Sequence, residues 1–307
     1  MAVVDAPLVA IVGPTASGKS ALALGLAEER GGEVVSCDSL QVYRGLDIGS
    51  AKPTAEERAR VPHHLIDVRD PDEGFSAADY AVLARESLAG IRARGHLPIV
   101  VGGTGLYLRA LLSGLFEGPS RDEALRGRLE GMADRFGNAR LHRLLRHVDP
   151  EAAARIHATD RLRIVRALEV FRATGRPLSA QHREGAEPLR GYDVKIVGLA
   201  PPRDVLRRRI EARTREMFAR GLLAEVRGLL ERYGRELRPL KAIGYRQAVD
   251  VLDGRMTEED ARVSLDTETA QYAKRQRTWF RHQITASWFE DPARAAAEVA
   301  AWLDGRG

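Results

Sequence analysis

The chain has 307 residues, 44% hydrophobic and 30% charged, and no apolar run approaches the ~20 residues of a membrane helix, so no membrane span is expected. A net charge of +5, from 48 Lys and Arg against 43 Asp and Glu, excludes an extreme polyelectrolyte. The single cysteine, Cys37, excludes an intrachain disulfide and fits a reducing cytoplasm.

Met1 to Pro7 carry neither a basic start nor a cleavage site, and no export signal is expected there. The apolar run Leu8-Val9-Ala10-Ile11-Val12 predicts a buried strand, and Ala21–Glu28 predicts a helix. Between them Gly13-Pro14-Thr15-Ala16-Ser17-Gly18-Lys19-Ser20 satisfies each fixed position of G-x-x-x-x-G-K-[ST]. In that setting the glycines let backbone N–H groups close around phosphate oxygens, and the helix N-terminus adds positive potential. Lys19 would neutralise bridging charge and the Ser20 hydroxyl could ligand Mg²⁺, so a di- or triphosphate ligand is expected.

A second strand, Glu33–Ser36, leads to Cys37, read as a small buried packing residue, and to Asp38-Ser39-Leu40-Gln41. The carboxyl ends of parallel strands line the ligand crevice, so Asp38 should face the phosphate site, to hold Mg²⁺ or accept a proton. Capping the following turn is its alternative role. His63-His64, with Asp67, have no second spaced ligand pair, and a turn after Pro62 is expected there in place of a zinc site. The third strand, Leu97–Val101, ends in Gly102-Gly103-Thr104-Gly105, where a hydrolysing ATPase would place an acid. Its absence suggests a transferase whose second substrate comes close to the backbone, with Thr104 donating to a phosphate oxygen or serving the turn.

From about Ser113 to Leu189 strand signals stop and helical patterns take over: Leu125, Leu129, Met132 and Phe136, then Leu141, Leu144 and Leu145, then Ile164, Leu168 and Phe171. Between Arg121 and Arg183 lie 14 arginines, no lysine and 8 acidic residues, so the basic excess of the chain is confined to this stretch. A face for a polyanion larger than a nucleotide is one reading, a solvated arginine surface the other. Val194–Leu199 returns to strand, and Pro201-Pro202-Arg203-Asp204 opens a long helix ending at Gly221 with Arg209, Arg213 and Met217 on one face. Helices over Glu258–Thr285 and Pro292–Leu303 follow, and Gly305-Arg306-Gly307 should fray. The expected fold is α/β, a parallel-sheet core over 1–112 and 190–307 with a helical C-terminal region, interrupted by a helical insertion over 113–189.

Taken in order, Gly13–Ser20, Asp38-Ser39-x-Gln41-x-Tyr43, Gly102-Gly103-Thr104-Gly105-Leu106-Tyr107, Asp160–Glu169, Gly244-Tyr245-Arg246-Gln247 and Tyr272–Arg281 resemble the tRNA dimethylallyltransferases, also called tRNA isopentenyltransferases. The resemblance implies a P-loop NTPase-like core and transfer of a dimethylallyl group from dimethylallyl diphosphate to N6 of adenosine 37, next to the anticodon of tRNA. Diphosphate is released with Mg²⁺ present. It implies that Gly13, Pro14, Thr15, Ala16, Ser17, Gly18, Lys19 and Ser20 grip the leaving diphosphate, that Thr104 and Arg213 stabilise its charge, and that Asp38 is the general base. It further implies tRNA contacts at Asp38, Ser39, Leu40, Gln41, Thr104 and Arg126, at Leu162, Arg163, Ile164, Val165 and Arg166, and at Lys241, Ala242, Ile243, Gly244, Tyr245 and Arg246. A monomer in the cytoplasm is implied.

Physically, Arg163 and Arg166 are three apart on a helix and could share a face toward phosphates, and Gln41 could bond two edges of an extruded adenine. Lys274, Arg275, Arg277 and Arg281, interleaved with Tyr272, Trp279 and Phe280, form a second basic stretch, although packing suits the aromatics better than stacking on bases. A small-molecule kinase would need only the core and a short lid. An isopentenyltransferase acting on free adenine nucleotides would keep the chemistry but have no use for the insertion. A non-enzymatic nucleic-acid-binding protein would have no use for Asp38 and Thr104 beside a complete phosphate loop.

Overall fold

The computed structural model describes residues 5–114, 118–119, 122–184 and 187–306. The expectations placed on Met1–Val4, on Arg121 and on Gly307 lie outside the described residues. The chain divides into two compact units, one formed by residues up to Leu111 and from Leu189 onward, the other by Leu112–Pro188.

Six parallel strands make the sheet of the first unit: β1 (Ala6–Val12), β2 (Gly32–Cys37), β3 (His63–His64), β4 (Leu97–Gly102), β5 (Tyr192–Leu199) and β6 (Ser287–Phe289), in the order β3-β2-β4-β1-β5-β6. Central β1 is buried from Leu8 to Val12, the continuous apolar run expected of a strand covered on both faces. Leu22 and Leu26 of α1 (Lys19–Arg30) pack with Ala295 and Val299 of α14 (Pro292–Asp304) on Val9, Ile11, Val34, Ile99 and Val197. α1 stops at Gly31, whose φ of 62° closes the helix in the left-handed conformation that glycine adopts without strain. α2 (Ala55–Arg60) and α3 (Ala77–Ala93) each open on a capping box, Thr54 with Glu57 and Ser76 with Asp79.

A second apolar cluster carries the loop after β2. Val42, Tyr43 and Leu46 of that loop are buried against Met217 and Phe218 of α10 (Arg203–Ala219) and Leu222, Val226 and Leu229 of α11 (Leu222–Tyr233). Tyr245 of α12 (Tyr245–Leu252) and Leu265 of α13 (Glu258–Gln283) complete it.

The other unit is helical throughout its described residues: α5 (Glu123–Phe136), α6 (Asn138–Val148), α7 (Pro150–Arg155), α8 (Arg161–Thr174) and α9 (Leu178–Glu184), with the end of α4 (Gly105–Ser113) leading into it. Leu141, Leu145, Ile164, Val165 and Leu168 form its core. Buried Asp149 caps α7 at the Ala152 N–H and accepts both the N–H and the hydroxyl of Ser179, which ties α9 to the start of α7.

Three expectations are corrected. His63-His64 is not a turn: it is an edge strand in register with Val34 and Val35, and His64 Nε2 lies 2.6 Å from the buried Glu33 carboxylate. The three-residue strand β6 has too short a pattern to register in the sequence, and it pairs with β5 at Val197–Leu199. The glycines leaving β4 are also explained differently, by close packing within the chain. A Cβ on Gly102 would stand 2.0 Å from the Cys37 carbonyl oxygen, one on Gly103 2.2 Å from Gln276 Nε2, and one on Gly105 2.2 Å from the Trp279 ring. The space a side chain would need is filled by α13 at Gly103 and Gly105 and by β2 at Gly102.

Gly102→Ala should therefore lower the urea unfolding free energy by at least about 2 kcal/mol, because the obstacle is backbone and cannot rotate away. A variant with the wild-type midpoint would show that β2 and β4 are free to part.

Candidate active site

The phosphate loop runs from the end of β1 to the start of α1, and its geometry explains its residues. Gly13 has φ of 149°, and a Cβ there would sit 2.6 Å from the Leu199 carbonyl oxygen; Gly18, at φ of 95°, is the N-cap of α1. Ala16 holds a left-handed φ of 61° without being glycine, a strained conformation of the kind held at binding loops. Lys19 Nζ donates to the Pro14 carbonyl at 3.2 Å, and Arg209 of α10 donates to the Ser17 carbonyl at 3.1 Å. Ser17 Oγ is buried with no hydrogen-bond partner among the described residues.

Two cavities meet beside this loop. One, of about 490 Å³, is lined by Gly18, Lys19, Ser20, Asp38, Arg209 and Arg213 among others. The second, of about 390 Å³, extends to Met217, Ile243, Tyr272 and Arg275. Thr15, Asp38, Ser50, Ala51 and Arg213 line both. Arg209, Arg213 and Met217 thus form a stripe along α10 that passes from the first cavity into the second, as their spacing predicts.

Burial lowers Lys19 to about 8, opposed by the Asp38 carboxylate and reinforced by Arg213. Burial lowers Arg213 as well, again opposed by Asp38. Two cations held below their ordinary values face one carboxylate, an arrangement that fits a multiply charged anion, which would favour the protonated form of both. Ser20 lies at the exposed first turn of α1 and lines the first cavity, whereas no three His, Cys, Asp or Glu converge among the described residues. The Ser20 hydroxyl could hold Mg²⁺ together with water and phosphate oxygens, the mode this ion favours, and Asp38 lines the same cavity.

Asp38 caps the following turn and also faces the phosphate site. Oδ1 accepts the N–H of Leu40 at 2.9 Å and of Gln41 at 3.4 Å, capping the turn, while the residue still lines both cavities. Cys37 is buried, and desolvation pushes its thiol up to about 12, so it stays protonated.

Several expected contacts fall elsewhere. Thr104 is not among the residues lining either cavity; its Oγ1 accepts the Ser39 N–H at 3.2 Å and holds the exits of β2 and β4 together. Gln41 lines the first cavity, but its amide is engaged within the chain: Oε1 accepts from Ser36 and Nε2 donates to the Ser50 and Ala51 carbonyls. Tyr245 is fully buried, its hydroxyl donating to Glu225 at 2.8 Å. Lys241, Ala242, Ile243 and Gly244 line the second cavity, and exposed Arg246 pairs with Glu268.

In the helical unit Ile164 and Val165 are core residues and cannot reach a ligand, whereas Leu162 is 72% exposed and Arg163 is exposed beside it. Arg126 and Arg166 converge on Glu169, a carboxylate with no exposed surface: Arg126 Nε lies 3.0 Å from Oε1 and an Arg166 guanidinium nitrogen 2.7 Å from Oε2. Burial alone would raise Glu169, but the bonds from Arg126, Arg166 and the Asp122 N–H hold it below its ordinary value. A buried carboxylate needs such partners, so the primary role of these two arginines is internal.

Gln276 is the residue the motif analysis missed. Its Oε1 accepts the Thr15 N–H at 2.8 Å and its Nε2 donates to the Gly103 carbonyl at 2.9 Å, joining the phosphate loop to the exit of β4. The signal was present in the Tyr272–Arg281 block, where it was read only as basic and aromatic.

A family model described as IPP transferase matches residues 41–283. The tRNA dimethylallyltransferase of Koribacter versatilis (strain Ellin345) is 49% identical over 298 residues, 96% of this chain and 97% of that protein. The tRNA dimethylallyltransferase of Halorhodospira halophila is 50% identical over 306 residues, 98% of each. Among solved structures, the full-length tRNA isopentenylpyrophosphate transferase of Bacillus halodurans superposes with a TM-score of 0.70 at 43% identity, covering 97% of this chain and 96% of that one. A eukaryotic dimethylallyltransferase acting on tRNA superposes with a TM-score of 0.73 at 28% identity over 90% of this chain and 70% of its own.

Two measurements probe these assignments. With Lys19 at 10.5 when unfolded and about 8 when folded, the cost of its charge is fully present below pH 8, shrinks between 8 and 10.5, and is gone above. Lys19→Met should accordingly stabilise the ligand-free protein by about 1–3 kcal/mol at pH 7, with the difference from wild type narrowing as pH rises through that window. A destabilised Lys19→Met variant would contradict the desolvation. Arg126→Ala should cost about 2–4 kcal/mol in stability because it strips a buried carboxylate of its two-pronged partner, and a loss below about 0.5 kcal/mol would return Arg126 to a surface role.

Proposed function

The chain belongs to the IPP transferase family, the tRNA dimethylallyltransferases, and from that membership we propose how its residues divide the work. It is a prenyl-transferring enzyme, and it transfers a dimethylallyl group to an adenosine of tRNA. The donor is dimethylallyl diphosphate and the acceptor is N6 of adenosine 37, beside the anticodon. One observation carries the assignment of roles: Asp38 and Arg213 stand on the wall common to two cavities, and only one of these is lined by Gly18, Lys19 and Ser20 of the phosphate loop.

The diphosphate sits in the first cavity, against the loop N–H groups, Lys19, Arg209 and Arg213. The adenine enters through the second, so the two substrates meet beside Asp38. A stacked base could not reach this point, and extrusion from the anticodon loop is required. The N6 lone pair forms a bond to C1 of the dimethylallyl group, the C1–O bond to diphosphate breaks, and Asp38 takes the proton released from N6. The turn N–H groups hold this carboxylate through Oδ1, fixing its direction. Lys19 and Arg213, both disfavoured as cations by burial, gain most when negative charge grows on the departing diphosphate. The Ser20 hydroxyl would hold Mg²⁺ carried with the diphosphate, and that ion would supply further charge neutralisation. Thr104 serves by fixing Ser39 and the exits of β2 and β4.

In the helical unit, Leu162 and Arg163 offer the exposed surface for tRNA, and Arg163 provides the phosphate contact there. The enzyme works as a monomer in the cytoplasm.

Incubating the protein with labelled dimethylallyl diphosphate and, separately, unmodified tRNA, AMP and ATP should place label in tRNA alone. Label in AMP would move the acceptor to free nucleotides, and phosphate transfer from ATP would refute the scheme. Asp38→Asn should slow transfer ~10²–10⁴-fold while tRNA still binds. If transfer on bound tRNA stays at the wild-type rate, another group is the base.

A further inference from the structure

Ser50 and Ala51, on the wall common to the two cavities, belong to a segment without regular secondary structure between β2 and α2, so something must hold them. Glu225, on the first turn of α11, accepts three consecutive backbone N–H groups of this segment. Its Oε2 takes those of Asp47 at 3.1 Å and Ile48 at 2.7 Å, and its Oε1 takes that of Gly49 at 3.1 Å. Oε1 also accepts the hydroxyl of Tyr245, whose ring lies so close to the segment that a Cβ on Gly49 would be 2.5 Å from it. Ala51, beyond this clamp, holds a left-handed φ of 50°, strain that persists only while its surroundings impose it. The far side is fixed by the Gln41 amide on the Ser50 and Ala51 carbonyls and by Lys52, buried between Asp47 and Asp67.

We propose that Glu225 is a positioning residue for the transfer: by gripping the Asp47–Gly49 backbone it fixes Ser50-Ala51 as the partition at which donor and acceptor meet. The inference rests on the two-cavity reading above. Glu225 touches neither cavity itself, and it acts on the step that brings N6 to C1 rather than on binding of the diphosphate. Tyr245, in the buried part of the Lys241–Arg246 segment, is bonded to the same carboxylate, so the partition and the wall of the acceptor cavity share one anchor.

The test combines hydrogen exchange on the full-length enzyme with steady-state kinetics. In Glu225→Ala the amides of Asp47, Ile48 and Gly49 should exchange at least about tenfold faster while those of β1 and β4 keep their protection. kcat for transfer to tRNA should fall ~10–100-fold, with affinity for inorganic diphosphate within about twofold of wild type, since misplacement by about 1 Å has that effect on rate without removing a phosphate contact. Glu225→Gln keeps the volume and one acceptor oxygen: with that oxygen on Asp47 and Ile48, its amide can donate to Tyr245, so only the Gly49 amide should lose protection and most of the rate should return. This variant carries the test if the alanine protein does not fold. In Glu225→Ala, unchanged exchange at all three amides, or free exchange at all three with kcat within about twofold of wild type, would overturn the inference, as would a Glu225→Gln protein in which the Gly49 amide keeps its wild-type protection. A wild-type enzyme that labels no tRNA would instead overturn the function on which it rests.

Discussion

The exits of β1, β2 and β4 are packed backbone against backbone, and everything at the site depends on that crowding. Gly102 lies so near the Cys37 carbonyl that no side chain fits, and Gly103 and Gly105 lie equally close to Gln276 and Trp279 of α13. Gln276, seated over this floor, bonds the phosphate loop at Thr15 and the β4 exit at Gly103 with opposite ends of one amide. Thr104 adds the bond to Ser39 that keeps the Asp38 turn in place. A loop whose own residues include a left-handed alanine is therefore held from outside by a long helix contributed by the end of the chain.

The electrostatics follow from that confinement. Lys19 and Arg213 are held where their charges are disfavoured, with Asp38 the carboxylate that favours both. In the folded protein this is a standing cost, which an anion entering the cavity would offset. The helical unit handles charge in the opposite way. Arg126 and Arg166 are both turned onto one internal carboxylate, Glu169, whereas Arg163 is exposed beside Asp160.

How much of this the sequence discloses depends on the range of the interaction. Strands β1, β2, β4 and β5 and the phosphate loop were legible because local apolar runs and a fixed glycine spacing encode them. The stripe Arg209, Arg213 and Met217 was legible for the same reason, since helical periodicity is local. β3 and β6 were not, because two and three residues are strands only through their partners. The internal bonds of Gln41 and Tyr245 were not legible because their partners, the Ser50 and Ala51 carbonyls and Glu225, are set by tertiary structure. Likewise the basic excess of residues 121–183 overstates the outward charge, since a formal count cannot tell an arginine facing solvent from one facing a buried carboxylate.

The glycine string leaving β4 also bears on how relatives should be interpreted. Because its constraint is steric and internal, a homologue that had changed its acceptor entirely would retain it, as would one that had lost activity. That string therefore certifies the scaffold and is silent on what is alkylated. On the two-cavity reading proposed above, acceptor choice in divergent members would be traced through the second cavity, at positions such as Met217, Ile243 and Tyr272.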